Sequence, residues 1–125
     1  MDVATPALEN NVQLLKRHDR DSVATLTLNR PTARNALSRD LMAELQSALD
    51  EIAEDDSVGA VIIGGAGPAF CAGHDLKEVR SNDRREIFAS LFAQCSRLMT
   101  SIIRLPKPVI ARVHGVATAA GCQLV

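Results

Sequence analysis

The chain has 125 residues, and 46% of its side chains are apolar, which predicts one compact domain and excludes global disorder. No apolar run approaches the roughly 20 residues that a membrane-spanning helix needs, so no membrane partner is expected. The chain has three Phe and no Tyr or Trp, which argues against base stacking. It has 14 basic and 15 acidic residues, so no overall positive charge is available to bind phosphates. No nucleic-acid partner is therefore expected.

The first predicted elements form a hairpin. Residues 12–17 and 23–28 have the composition of two short strands. The polar residues 18–21 between them indicate the connection. The Asn29-Arg30-Pro31 segment then ends the second strand.

A helix and a buried strand are predicted next. Ser38 is a suitable N-cap, and Asp40 suits the positive end of the helix dipole. Apolar residues from Leu41 to Ile52 recur at helical spacing, so we expect a helix that ends near Asp56. The continuous apolar run at 58–63 is typical of a strand buried on both faces of a parallel sheet.

The remaining elements complete an alternating order. A loop rich in Gly and Ala spans residues 64–73, and a wide apolar stripe predicts a helix over 87–104 that packs on two sides. Residues 109–113 are predicted as another buried strand, and residues 117–125 as the start of a helix. Strands that alternate with helices in this way predict an α/β fold.

Charge and cysteine content constrain the surface and the compartment. Residues 38–57 carry a net charge of −6, which we interpret as a solvated helix face, and the remainder carries +5, which is compatible with an anionic small ligand. The three cysteines are an odd number, and residues 1–11 lack the pattern of a signal or transit peptide. Reduced thiols in the cytoplasm are therefore expected.

Two loops of small residues are candidates for chemistry. Residues 64–76 and 115–122 each follow a predicted parallel strand and lead into a helix with free N–H groups. Such loops can converge at one crevice and stabilise a developing oxyanion, or they can simply be tight turns and close helix packings. Cys71 and His74 have no second pair to complete a zinc site, so no metal is expected. His114 is interpreted as structural.

Four segments resemble the enoyl-CoA hydratase/isomerase (crotonase) family, in the family's order, and together span nearly the whole chain after Val12. They are L-T-L-N-R-P-T-A-R-N-A-L-S at 26–38, A-V-I-I-G-G-A-G-P-A-F-C-A-G-H-D-L-K-E at 60–78, K-P-V-I-A-R-V-H-G at 107–115 and A-T-A-A-G-C-Q-L at 117–124. The combination is specific, although no single segment would be.

The resemblance implies a crotonase-like (ClpP/crotonase) α/β spiral of β-β-α units. It implies that residues 1–125 are the N-terminal part of a single domain, with residues 1–11 a flexible tail and the C-terminal half absent. It also implies a homotrimer or hexamer when full length, and a role in fatty acid metabolism.

The implied ligand is an acyl-CoA thioester, with coenzyme A as part of the substrate and no permanently bound cofactor. The resemblance assigns the two oxyanion N–H groups to His74 and Ala120. It assigns the contacts to coenzyme A to two short segments, comprising Ala33, Arg34, Ala36, Ala72, Asp75, Leu76 and Lys77.

One departure from the family pattern puts catalysis in doubt. Gln123 stands where family hydratases have a catalytic Glu, and an amide cannot exchange a proton at neutral pH. The partner Glu of the family lies further along the domain than Val125. Three hypotheses therefore stay open: an enzyme that forms a thioester enolate, a non-catalytic acyl-CoA-binding or assembly protein, and an inactive fragment.

Overall fold

The computed structural model describes residues 13–81 and 85–125. The first half contains β1 (Leu15–Arg20), β2 (Val23–Leu28), a 3-10 turn (Pro31–Ala33), α1 (Arg39–Ala53) and β3 (Ala60–Gly65). The second half contains α2 (Leu76–Ser81), α3 (Arg85–Arg104), β4 (Val109–Ala111) and α4 (Ala120–Gln123). Among the described residues, no helix is both long and apolar enough to cross a membrane.

The four strands form one sheet in the order β1-β2-β3-β4. β1 pairs antiparallel with β2, and the β2–β3 and β3–β4 pairs are parallel. The chain passes through α1 between β2 and β3, and through α2 and α3 between β3 and β4. The predicted α/β order and the parallel pairing of β3 are therefore confirmed.

One face of the sheet carries the core. Alternate residues of β2 and β3 are fully buried, and they align across the sheet as Ala24 with Val61 and Leu26 with Ile63. The apolar stripes of α1 and α3 belong to the same cluster, including Leu41, Leu45, Leu49, Ile52, Leu91, Cys95 and Leu98.

The opposite face of the sheet is less covered than the sequence predicts. Ile62 of β3 is only half-buried, and its neighbour Ile110 in β4 is 55% exposed. The expectation that these strands are buried on both faces is therefore wrong, because described helices cover one face only.

The hairpin begins and turns later than predicted. β1 runs over Leu15–Arg20, so most of the predicted connection at 18–21 belongs to the strand. The turn consists of Asp21 and Ser22, both with positive φ, which is the two-residue turn that matches the twist of a hairpin. The polar residues of β1 are compatible with a strand because β1 lies at the sheet edge. The predicted strand start at Val12 lies outside the described residues.

Later boundaries also differ from the predictions. β3 extends to Gly65, into the predicted loop, and β4 stops at Ala111 instead of Val113. The predicted helix at 117–125 is shortened to Ala120–Gln123, because Ala117 forms a parallel bridge with Cys71 instead. The predicted helix at 87–104 is confirmed as α3, which begins at Arg85.

Both ends of α1 are stabilised by side chains of residues that are not part of the helix. Ser38 caps the N-terminus, because its Oγ accepts the N–H of Leu41 at 3.1 Å. At the other end, the Lys107 ammonium donates to the carbonyl oxygens of Ile52 and Asp55. A cation at this position also complements the negative end of the helix dipole. The helix ends at Ala53, slightly before the predicted Asp56.

We expect Ser38→Ala to lower the free energy of unfolding by about 1 kcal/mol, because the substitution removes the N-cap acceptor. Urea denaturation followed by circular dichroism measures the loss. Ser47→Ala is the matched control, since Ser47 is exposed on the same helix, where Ala has the higher helix propensity. An equal loss in both variants would refute the capping role.

Candidate active site

The site begins with Asn35, whose side chain joins two distant loops. Arg34 and Asn35 follow the 3-10 turn with φ of 53° and 55°, a conformation that Asn tolerates better than most residues. The Asn35 amide is buried, and its Oδ1 accepts the N–H of Arg30 at 2.8 Å. Its Nδ2 lies within 2.9–3.1 Å of three carbonyl oxygens in the glycine-rich loop, those of Ala66, Ala69 and Phe70.

A salt bridge joins Arg30 to Asp75. The Arg30 guanidinium donates to Asp75 Oδ2 at 3.1 Å and to the Ala36 carbonyl at 2.7 Å. Asp75 Oδ1 accepts the N–H of Lys77 at 3.0 Å, which caps the start of α2. Burial acts to raise the pKa of the Asp75 carboxyl, but the Arg30 hydrogen bond and the helix amides outweigh it and hold the pKa below its ordinary value of 3.8.

The two loops of small residues lie side by side. Cys71 and Ala117 form a parallel bridge, and the N–H of Thr118 donates to the Cys71 carbonyl at 3.1 Å. A Cβ on Gly121 would lie only 2.2 Å from the Cys71 carbonyl oxygen. The loops can approach this closely only because residue 121 has no side chain.

The N–H groups of His74 and Ala120 are free among the described residues. Leu37 and His74 form a parallel bridge. Its two hydrogen bonds run from the Leu37 N–H to the Gly73 carbonyl and from the Asp75 N–H to the Leu37 carbonyl. Both bonds therefore use the neighbours of His74 and not His74 itself. The His74 N–H therefore points away from Leu37. In α4 the first donors are Gly121 and Cys122, which leaves the N–H of Ala120 without a partner.

Gly73 brings these two N–H groups into one neighbourhood. It has a φ of 97°, and a Cβ built on it would lie 3.1 Å from the Ala119 Cβ and 3.4 Å from the Ala120 nitrogen. Two free donors on adjoining loops match the arrangement that stabilises an oxyanion.

A groove of about 670 Å³ lies on one side of His74. The structure brings to this groove all seven residues that the resemblance assigns to coenzyme A, namely Ala33, Arg34, Ala36, Ala72, Asp75, Leu76 and Lys77. Arg30 and Thr32 also line it and were missed by the sequence analysis.

A second cavity of about 520 Å³ lies on the other side of His74. It contains the other predicted site residues, Ala120 and Gln123, together with Ala119. Its remaining wall is one face of α3, formed by Phe92, Cys95, Ser96, Met99 and Thr100.

The α3 wall was missed as part of a site, although the sequence carried a signal. The apolar stripe is wider than one packing face needs, and Phe92 within it is 49% exposed. The helix therefore contacts the core with one side and lines the cavity with the other.

His74 borders both spaces. It packs edge-on against Phe92, with ring centroids 5.2 Å apart and an interplanar angle of 85°. Burial lowers the pKa of His74 below its ordinary value of 6.5, so the ring is neutral at pH 7. Its Nδ1 is buried and has no hydrogen-bond partner in the described part of the chain.

Other candidate groups do not form a site. The Cys71 thiol donates to the Asn35 carbonyl, and burial raises its pKa, so Cys71 is a structural thiol. Within residues 13–81 and 85–125, no group of three or more His, Cys, Asp or Glu side chains could hold a metal. His114 contacts the Gly67 carbonyl at 2.6 Å, in keeping with its interpretation as structural.

Comparison with known sequences decides the family. The family profile described as Enoyl-CoA hydratase/isomerase matches residues 18–125. The chain belongs to the enoyl-CoA hydratase/isomerase family. This membership agrees with the four motifs, and the crotonase-like fold is confirmed by solved structures of the family.

One such structure is an enoyl-CoA hydratase from Mycobacterium smegmatis, with 57% identity and a TM-score of 0.88; the match covers 90% of this chain and 44% of the other. Human enoyl-CoA hydratase domain-containing protein 3 has 39% identity and a TM-score of 0.85 over the same shares. The motifs look most similar to this type, and the resemblance is confirmed by the mouse mitochondrial protein of that name, which is 39% identical over 94% of this chain.

This family member spans about two-fifths of the length of the curated relatives it matches, 39% in the case of the mouse protein. The cytoplasmic localisation expected from the sequence is contradicted. The mouse, rat and human relatives are all named as mitochondrial proteins. Cysteine content cannot separate these compartments.

We expect Gly121→Ala to lower the free energy of unfolding by about 1–3 kcal/mol, because the new methyl group would overlap the Cys71 carbonyl and force the loops apart. Chemical denaturation measures this loss. Gly59→Ala is the matched control, since a Cβ at Gly59 meets nothing closer than 3.7 Å. Equal stability of the two variants would show that the contact is not tight in solution.

Proposed function

We propose that this protein binds an acyl-CoA or enoyl-CoA thioester and stabilises the enolate of its carbonyl group with the N–H groups of His74 and Ala120. The observation that carries the proposal is the pair of free N–H groups on the two loops that meet at Gly73. The whole protein's activity is inferred by analogy with the family, in which relatives are named enoyl-CoA hydratase and 1,2-epoxyphenylacetyl-CoA isomerase.

The two spaces suit the two parts of such a ligand. The groove carries Arg30, Arg34 and Lys77, whose charges suit coenzyme A phosphates. The second cavity carries Phe92 and Met99, which suit an acyl chain. His74 borders both spaces, so the thioester carbonyl would lie beside its N–H group.

The chemistry follows from the direction of charge development. As the thioester becomes an enolate, negative charge grows on the carbonyl oxygen, and two fixed N–H dipoles stabilise the transition state more than the ground state. A donor of this kind contributes about 2.7–4 kcal/mol of transition-state stabilisation. The nominal reactions are hydration or isomerisation of a double bond next to the thioester.

A specific observation favours the alternative, a non-catalytic acyl-CoA-binding or assembly protein. Gln123 lines the second cavity, and none of the nine residues that line it is a carboxylate. Gln can orient a water molecule but cannot take or give a proton at neutral pH. Binding and charge stabilisation would then remain without a proton-transfer group.

Acyl-CoA binding itself is tested with Gly73→Val. We expect the dissociation constant for butanoyl-CoA to rise at least tenfold, because a side chain at Gly73 would collide with Ala119 and with the Thr118 carbonyl. Isothermal titration calorimetry measures the constant, and circular dichroism verifies folding. Gly59→Val is the control at an open position. Unchanged binding of butanoyl-CoA by a folded Gly73→Val variant would refute the assignment of the two loops to the thioester-binding site.

The two functions are separated by the hydration of crotonyl-CoA. For the non-catalytic alternative we expect negligible turnover by the wild type and a gain of about tenfold or more in Gln123→Glu, because the substitution supplies a group able to transfer a proton. Loss of crotonyl-CoA absorbance measures the rate, and Gln123→Ala is the control. High turnover that survives Gln123→Ala would show that other residues transfer the proton.

A further inference from the structure

The second cavity combines an apolar wall with neutral hydrogen-bonding groups. Phe92, Ser96 and Thr100 follow one another at four-residue spacing on one face of α3, over a length of about 12 Å. No described residue accepts from or donates to the side chains of Ser96, Thr100 or Gln123. With His74 neutral, none of the nine lining residues carries a charge.

The His74 ring adds a further hydrogen-bonding group to the lining of this cavity. Its Nδ1 is sealed from solvent without a partner, so a proton on Nδ1 would be a buried N–H with no acceptor within the described chain. The proton of the neutral ring therefore belongs on Nε2, which is the nitrogen left to face the open space. The edge-on contact with Phe92 holds the ring in place.

We propose that the His74 imidazole, in its Nε2–H form, is a specificity-determining group that selects acyl chains carrying a neutral oxygen over plain hydrocarbon chains. The proposal rests on the proposed function, because it takes the second cavity as the acyl site. A hydrocarbon chain would remove water from Nε2–H and from the α3 hydroxyl groups without replacing the lost hydrogen bonds.

The same lining argues against an acyl chain that ends in a carboxylate. Neutral donors can satisfy a ketone or hydroxyl oxygen, but a carboxylate loses far more hydration free energy on burial, and a paired cation is needed to offset that loss. The cations near the site, Arg30, Arg34 and Lys77, line the groove on the other side of His74 and not this cavity.

The test compares the binding of three saturated thioesters, pentanoyl-CoA, 4-oxopentanoyl-CoA and glutaryl-CoA, by isothermal titration calorimetry. For the wild type we expect 4-oxopentanoyl-CoA to bind about 2- to 10-fold more tightly than pentanoyl-CoA, the range of one net hydrogen bond. Glutaryl-CoA should bind more weakly than pentanoyl-CoA. Equal dissociation constants of the wild type for pentanoyl-CoA and 4-oxopentanoyl-CoA overturn the proposal. Tighter binding of glutaryl-CoA than of pentanoyl-CoA also overturns it.

Variants assign the preference to the ring. His74→Phe keeps an aromatic ring against Phe92 but removes the ring nitrogens. The ratio of the dissociation constants for pentanoyl-CoA and 4-oxopentanoyl-CoA should therefore fall to one. His74→Asn keeps an N–H donor and should retain a preference. His18→Phe is the matched control on the exposed edge strand β1 and should keep the wild-type ratio. Full preference in His74→Phe overturns the assignment.

A spectroscopic readout tests the tautomer without any substitution. Long-range 1H–15N spectra at pH 7 should show His74 neutral with its proton on Nε2. A proton on Nδ1 overturns the proposal. Failure of coenzyme A and all three thioesters to bind would instead refute the proposed function, and this inference with it. Binding of pentanoyl-CoA without discrimination refutes the inference alone.

Discussion

The geometry of the site depends on one close contact between backbones. Gly121 lies so near the Cys71 carbonyl that no side chain fits between them, and Gly115 approaches the Pro68 carbonyl in the same way. β3 and β4 are parallel neighbours, so their carboxyl ends meet at one edge of the sheet. The glycines allow the loops that follow these strands to lie against each other instead of diverging. Everything proposed for His74 and Ala120 requires this approach.

The same arrangement leaves the N–H groups of His74 and Ala120 without a partner among the described residues. Several backbone groups of the loops are bonded to each other or to the segment after the 3-10 turn: the Thr118 hydroxyl donates to the Ala72 carbonyl, and the Ala72 N–H donates to the Arg34 carbonyl. The Asn35 Nδ2 lies within hydrogen-bond distance of three further carbonyl oxygens of the glycine-rich loop, which share its two hydrogens. These bonded groups hold the loops in place around the N–H groups of His74 and Ala120, which is how proteins preorganise a charge-stabilising site.

Much of the fold could be predicted because local patterns decide it. The Ser38 cap, the helical spacing in α1 and α3 and the parallel strand β3 all follow from short-range sequence signals. β1 was misplaced because an edge strand tolerates polar residues, so apolar alternation did not mark its end. The helix predicted from Ala117 was shortened by a long-range bridge to Cys71, which no local pattern encodes. For the site, the four motifs predicted the residues of the loops, but not the wall from α3. A helical stripe shows that a face is apolar, and only the tertiary structure shows whether core or cavity lies against it.

The neutral lining of the second cavity connects the departure at Gln123 with the state of His74. A carboxylate at residue 123 would place a negative charge in the cavity that also contains Ala120 and His74. That charge would favour protonation of the imidazole and would oppose an enolate at the two N–H groups, unless it took up a proton as part of the reaction. With an amide there, nothing in the lining opposes burial of a neutral ring, and under the proposed function the two dipoles would act on the thioester oxygen without a competing anion. Under the proposed function, charge stabilisation and proton transfer are thus separate: the backbone of the two loops would supply the first, and the side chain at residue 123 bears on the second.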